Sequence, residues 1–161
     1  MHAPHAGAAA PFDPAVAGPI IARHAGREGA LLPLLHDIQA AFGCVPEAAV
    51  PPIAHALNLS RAEVHGVISF YHDFRRSPPG AHVLKLCQAE ACQAMGARDL
   101  ARHVEARLGV ALGGTTGDGL ITAEPVYCLG LCATAPSAML DGQVAGRLTP
   151  ARIDALLERL A

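Results

Sequence analysis

The chain has 161 residues, 52% of them apolar, and a formal net charge of −2. That length suits one domain or two small ones, and near-balanced charge gives no field to steer the chain toward nucleic acid or an anionic membrane. No apolar run approaches the ~20 residues needed to span a bilayer, and the opening MHAPHAGAAAPFDP lacks the charged start and apolar stretch of a secretion signal, so a cytoplasmic chain without membrane contact is expected. In that compartment stable disulfides are rare, and clustered cysteines point to metal binding or redox chemistry.

Residues 1–13, rich in Ala, Pro and His, read as a disordered tail. Residues 14–76 carry helical periodicity and predict a small bundle of four helices. Pro19 to Ala25 ends at Gly26, and Leu31, Leu34, Leu35, Ile38 and Phe42 repeat at helix spacing up to a stop at Gly43. Val50, Ile53, Ala54 and Leu57 form a shorter stripe. Ser60-Arg-Ala-Glu63 is a capping box, with Val64, Val67, Ile68 and Tyr71 as the apolar face behind it. His24, His36, His55, His65 and His72 are scattered over these helices without the spacing of a metal pair, and Cys44 reads as a free, partly buried thiol.

Arg75-Arg-Ser-Pro-Pro-Gly80 is a boundary, because two prolines and a glycine cannot continue a helix. Beyond it, residues 81–161 predict the order β-α-β-β-β-α. His82–Leu86 is the first strand, and Ala97, Leu100, Ala101, Val104 and Leu108 line one face of a helix. Gly113–Gly119 reads as a flexible turn and not a phosphate loop, since no lysine follows its glycines. Leu120–Tyr127 is extended; Asp141-Gly142 joins two short strands as a hairpin. Thr149-Pro150 opens a final helix with Ile153, Leu156, Leu157 and Leu160 as its buried stripe.

The remaining cysteines come as two pairs, Cys87–Cys92 (C-Q-A-E-A-C) and Cys128–Cys132 (C-L-G-L-C), each following a predicted strand. Strand ends are where an α/β sheet presents its crevice to a ligand. Four thiolates there suit either a [2Fe–2S] cluster or a structural zinc ion, and the spacings alone exclude neither. Small residues around both pairs, with Gly130 inside the second, permit close backbone N–H approach to sulfur and favour the cluster.

The order C-x₄-C, a 35-residue gap and C-x₃-C resembles the thioredoxin-like [2Fe–2S] ferredoxins: the 24-kDa subunit of respiratory complex I and its relatives in NAD-linked hydrogenases and formate dehydrogenases. The resemblance spans about residues 19–160 and includes Gly29–Pro33, Gly66–Tyr71 with Phe74, Gly117–Gly119, Ala135-Pro136 and Leu148–Pro150. It implies an α+β chain, a helical bundle followed by a thioredoxin-like domain, with Cys87, Cys92, Cys128 and Cys132 as ligands of one [2Fe–2S] cluster. It further implies an electron-transfer subunit with no catalytic residues of its own. Such a subunit docks on a partner holding flavin, NAD and further Fe–S clusters; small ferredoxins of this fold can also form homodimers. Within the family, Val64–Phe74 and Cys92–Gly96 look most like the gamma subunits of molybdenum-dependent, NAD-linked formate dehydrogenases, which would place a molybdenum cofactor on the catalytic subunit. The equivalent subunit of complex I or of a bidirectional hydrogenase is the alternative, and a zinc-stabilised assembly module is the alternative from another class.

Overall fold

The computed structural model describes residues 12–160, so most of the expected tail lies outside them. Phe12 and Asp13 do not behave as tail: the Phe12 ring packs 5.7 Å from that of Phe42, and the Asp13 carboxylate accepts the Ala15 N–H at 2.8 Å. The described residues divide into two compact units, 12–78 and 79–160.

The first unit holds four helices: α1 (Pro14–His24), α2 (Leu31–Phe42), α3 (Val50–Leu57) and α4 (Arg61–Phe70). Helix α1 starts five residues before the expected Pro19, because Asp13 is its N-cap and Pro14 fits its first turn. Pro19 therefore lies inside it. Helix α2 closes on Gly43 at φ 76°, the left-handed conformation that glycine adopts without a Cβ clash. Both arms of the Ser60–Glu63 capping box are formed: Ser60 Oγ accepts the Glu63 N–H at 3.1 Å and a Glu63 oxygen accepts the Ser60 N–H at 2.8 Å. Leu34, Leu35, Ile38, Val50, Ile53 and Val64 are fully buried in one core. Tyr71 departs from expectation: it is 43% exposed, and Phe74 occupies the buried position instead. The Gln39 amide fastens the segment after α4, donating to the Asp73 carbonyl and accepting the Arg75 N–H, each at 2.7 Å.

The second unit is a mixed four-stranded sheet, β1 (His82–Cys87), β2 (Ile121–Val126), β3 (Ala138–Leu140) and β4 (Gln143–Ala145), in the order β2-β1-β3-β4. Three helices accompany it: α5 (Glu90–Ala94), α6 (Ala97–Leu108) and α7 (Pro150–Leu157). The short α5 is absent from the predicted element order; it inserts a turn of helix into the first cysteine loop. Leu84 and Leu86 share one apolar cluster with Leu100 and Val104 of α6 and Ile153 and Leu157 of α7.

Central β1 is parallel to β2 and antiparallel to β3. Gly80 enters it where an added Cβ would stand 2.9 Å from the Gly119 carbonyl oxygen, a separation that side chains do not tolerate. The Asp141-Gly142 turn has both residues at positive φ, as its tight hairpin type requires. Its carboxylate is pinned to β1 by the Val83 N–H at 2.8 Å. The glycine-rich stretch before β2 is also tied down, not loose: Thr116 N–H donates to the Ile121 carbonyl, and Asp118 accepts the Leu120 N–H.

Candidate metal centre

Parallel pairing explains why the two cysteine loops meet. The register matches Cys87, the last residue of β1, with Val126, the last of β2. The Gln88 N–H then donates to the Val126 carbonyl at 2.8 Å, so the loops leave the sheet side by side. The antiparallel neighbour adds a third chain to this edge, the Cys87 N–H donating to the Ser137 carbonyl at 3.0 Å just before β3. Cys128 lies two residues past the end of β2, Cys92 sits within α5, and Cys132 begins a short 3₁₀ turn through Thr134. All four sequence-predicted residues thus lie at, or within a few residues beyond, the C-terminal ends of the paired strands β1 and β2. Cys44 belongs to the other unit, buried, and burial pushes its thiol pKa up.

The pairs differ in exposure. Cys87 and Cys92 are each 2% exposed, whereas Cys128 and Cys132 lie open at the surface. The exposed sulfurs stand 3.7 Å apart, and the Gly130 N–H points at Cys128 Sγ from 3.4 Å. Two positive-φ residues build this loop, Cys128 at 91° and Gly130 at 76°. A non-glycine residue in that region is uncommon and is held there only by its surroundings.

Burial opposes ionisation of Cys87, but the N–H groups of Ala89, Cys128 and Leu129, with the Cys92 thiol, together hold its pKa below the ordinary thiol value. Two of these donors come from the second loop, which binds the loops to each other through sulfur. Cys132 is pushed the other way, first by its hydrogen bond with Cys128 and then by the negative charges of Cys128, Cys92 and Cys87. Four thiolates at such spacing repel, and a bound cationic group relieves the repulsion. The sulfurs come as two pairs, Cys87 with Cys92 and Cys128 with Cys132, a donor set that fits a binuclear group with two thiolates for each metal.

Three features of this centre lie beyond the sequence reading. Ser137 is buried against Cys92, its hydroxyl oxygen 3.5 Å from the sulfur. Gly146 passes so close to the second loop that an added Cβ would lie 2.4 Å from Thr134 Oγ1. Tyr127, beside the exposed pair, is 74% exposed. Only Gly146 leaves a sequence signal, a glycine with no turn to explain it.

Comparison with known proteins agrees with this architecture. The thioredoxin-like [2Fe–2S] ferredoxin family matches residues 17–161. A subunit of NADH-quinone oxidoreductase from Pseudomonas aeruginosa is 36% identical over 124 residues, covering 77% of this chain and 75% of its own. The corresponding subunit from Escherichia coli is 37% identical over 125 residues, 78% of this chain and 75% of its own. The NADP-reducing hydrogenase subunit HndA of Solidesulfovibrio fructosivorans is 32% identical over 131 residues, 81% and 77%. In three dimensions the chain is similar to an NAD⁺-reducing [NiFe]-hydrogenase with a TM-score of 0.69 and 29% identity over 81% of its length, while spanning only 22% of that hydrogenase chain. On fold, cysteine order and the extent of these matches, the chain belongs to the thioredoxin-like [2Fe–2S] ferredoxin family.

Proposed function

We propose that this chain is the electron-transfer subunit of an NAD-linked oxidoreductase complex in the cytoplasm, holding one [2Fe–2S] cluster on Cys87, Cys92, Cys128 and Cys132. The observation that supports this reading is the placement of two cysteine pairs at the neighbouring ends of β1 and β2 in a chain from this family. The cluster supplies a one-electron couple, with a charge of about −2 oxidised and −3 reduced when four thiolates hold it.

The protein's own share of the work follows from the geometry. The buried pair excludes water from one side, which strengthens every dipole aimed at sulfur. Backbone N–H groups of Ala89, Cys128, Leu129 and Gly130 stabilise negative charge there, and more so in the more negative state. The exposed pair, with Tyr127 beside it, leaves the opposite side open for a flavin- and NAD-binding partner to approach. Substrate turnover belongs to other subunits in this reading.

For the parent complex, the motifs Val64–Phe74 and Cys92–Gly96 favour formate dehydrogenase, with formate oxidised at a molybdenum centre on another subunit and NAD reduced at the flavin. The subunits of NADH-quinone oxidoreductase and of NADP-reducing hydrogenase that resemble this chain support the second reading, the same role in one of those complexes. Absorption and EPR spectra before and after dithionite test the cluster: a brown protein whose rhombic signal appears only on reduction supports it. A colourless chain holding zinc would overturn it in favour of a structural module. Affinity purification of the native complex, assayed for NAD reduction by formate and by hydrogen and for NADH oxidation by quinone, decides the parent.

A further inference from the structure

Ser137 lies outside the four-cysteine set, yet only 2% of it is exposed. Its carbonyl accepts the Cys87 N–H at 3.0 Å, which locks its backbone to a residue carrying one of the sulfurs. On its two sides the chain is held as well, by β3 after it and by the Leu148 N–H on the Pro136 carbonyl before it. From this fixed position its hydroxyl oxygen faces Cys92 Sγ at 3.5 Å. A buried hydroxyl requires a partner, and here that partner is sulfur. Between a hydroxyl and a free thiol either atom is able to donate. A thiolate bound to metal has no proton, so the serine is then the donor, and hydrogen bonds to an ionised acceptor are about twice as strong as neutral ones.

We infer that Ser137 is a positioning residue whose hydroxyl donates to the Cys92 thiolate and so raises the reduction potential of the cluster. The inference rests on the ligand assignment proposed above. The physical argument is differential: the donor stabilises both oxidation states, but the reduced one carries about one more negative charge and gains more. Water does not substitute for the lost donor readily, because the site is closed on the side of the buried pair.

The test is an EPR-monitored redox titration of the full chain and of its Ser137→Ala and Ser137→Thr variants, after iron and sulfide have been measured in each. Ser137→Ala is expected to load its cluster and to shift the reduced-to-oxidised ratio at fixed solution potential downward by up to about tenfold, about 59 mV for a one-electron couple. Ser137→Thr, which keeps the hydroxyl, is expected to stay within about twofold of the unaltered chain, about 18 mV on the same scale. A Ser137→Ala potential equal to that of the unaltered chain overturns the inference while leaving the cluster assignment intact. An unaltered chain without iron overturns the assignment itself. Ser137→Val, of nearly the same shape as Ser137→Thr but without the hydroxyl, gives an independent readout if Ser137→Ala does not load. A potential below that of Ser137→Thr supports the hydroxyl donor, and an equal one overturns it.

Discussion

The two cysteine loops leave the same sheet edge, yet they are built on opposite principles. The first runs from β1 into α5 and keeps Cys87 and Cys92 almost wholly out of water, so regular structure and packing position its sulfurs. The second is irregular, with two positive-φ residues in three, and leaves Cys128 and Cys132 in solvent. A redox centre needs both: a rigid, dry side that fixes the potential and an open side that a partner reaches. On the ligand assignment proposed above, the first loop would govern retention and potential of the cluster, and the second access to it.

The largest expected effect comes from removing the proposed ligands one at a time. Cys87→Ser or Cys92→Ser leaves an ill-fitting oxygen in a closed site, and affinity for the cluster should fall by more than the about 10- to 100-fold that loss of a mere supporting partner costs, so that most iron is lost. Cys128→Ser or Cys132→Ser sits on an exposed loop with room to adjust, and should retain more iron with an altered EPR signal. Equal depletion across all four variants, measured by iron assay, would break the comparison between the loops.

Gly146→Ala is expected to act on the second loop alone. The new Cβ would fall 2.4 Å from Thr134 Oγ1 and 2.7 Å from the Thr134 carbonyl oxygen, so the turn from Cys132 to Thr134 must move. Overpacking of this kind costs about 1–3 kcal/mol. Thermal melting should record that loss, and the EPR line shape should change as Cys132 shifts. A full-strength, unshifted spectrum would show that the turn does not constrain the ligand.

Gly130→Ala against Gly96→Ala sharpens the contrast further. Both glycines have positive φ, 76° and 90°, and an added Cβ meets nothing within 4 Å at either, so the cost is conformational, about 1–2 kcal/mol in each. The stability losses should therefore match. Only Gly130→Ala should also weaken the cluster, because a backbone that relaxes away from positive φ turns the residue-130 N–H off Cys128 Sγ. If melting temperatures drop equally but Gly96→Ala loses as much iron, the electrostatic role given to the second loop is wrong.

Local chemistry explains what is legible in the sequence. The capping box, the helix stop at Gly43, the Asp141-Gly142 hairpin and the cysteine spacing each involve residues within a few positions of one another, and the first three form as predicted. The features that escape depend on contacts between distant positions. Ser137 meets Cys92 across 45 residues, and His24 meets Asp37 across two helices. Helix α5 is only five residues long, too short for a periodic stripe to mark it. The expected first helix starts late, at Pro19, because the Asp13 cap and Pro14 that open α1 stand five residues before it. Nothing in C-x₄-C or C-x₃-C tells which pair is buried; the order of strands in the sheet decides it.

The smallest effect is expected in the helical unit, where neither cysteine pair lies. The Asp37 carboxylate pairs with buried His24 Nε2 at 2.7 Å and with Arg23 at 3.6 Å. Its hydrogen bond to His24, opposed by partial burial and aided by the charges of His24 and Arg23, holds its pKa below the usual carboxylate value. A carboxylate depressed in the folded state stabilises the fold above its unfolded value of about 3.9, and the contribution fades as pH falls through and below that point. Asp37 is nearly half exposed, so solvent screening keeps the effect small. Circular dichroism melts of the apo chain between pH 6 and pH 3 should show the unaltered protein losing slightly more stability on acidification than Asp37→Asn, by less than about 1 kcal/mol. The cluster potential of the loaded Asp37→Asn chain at pH 7 should not move. A shift there would mean that the dry side of the centre is not governed by the first cysteine loop alone, and that the helical unit takes part in setting the potential.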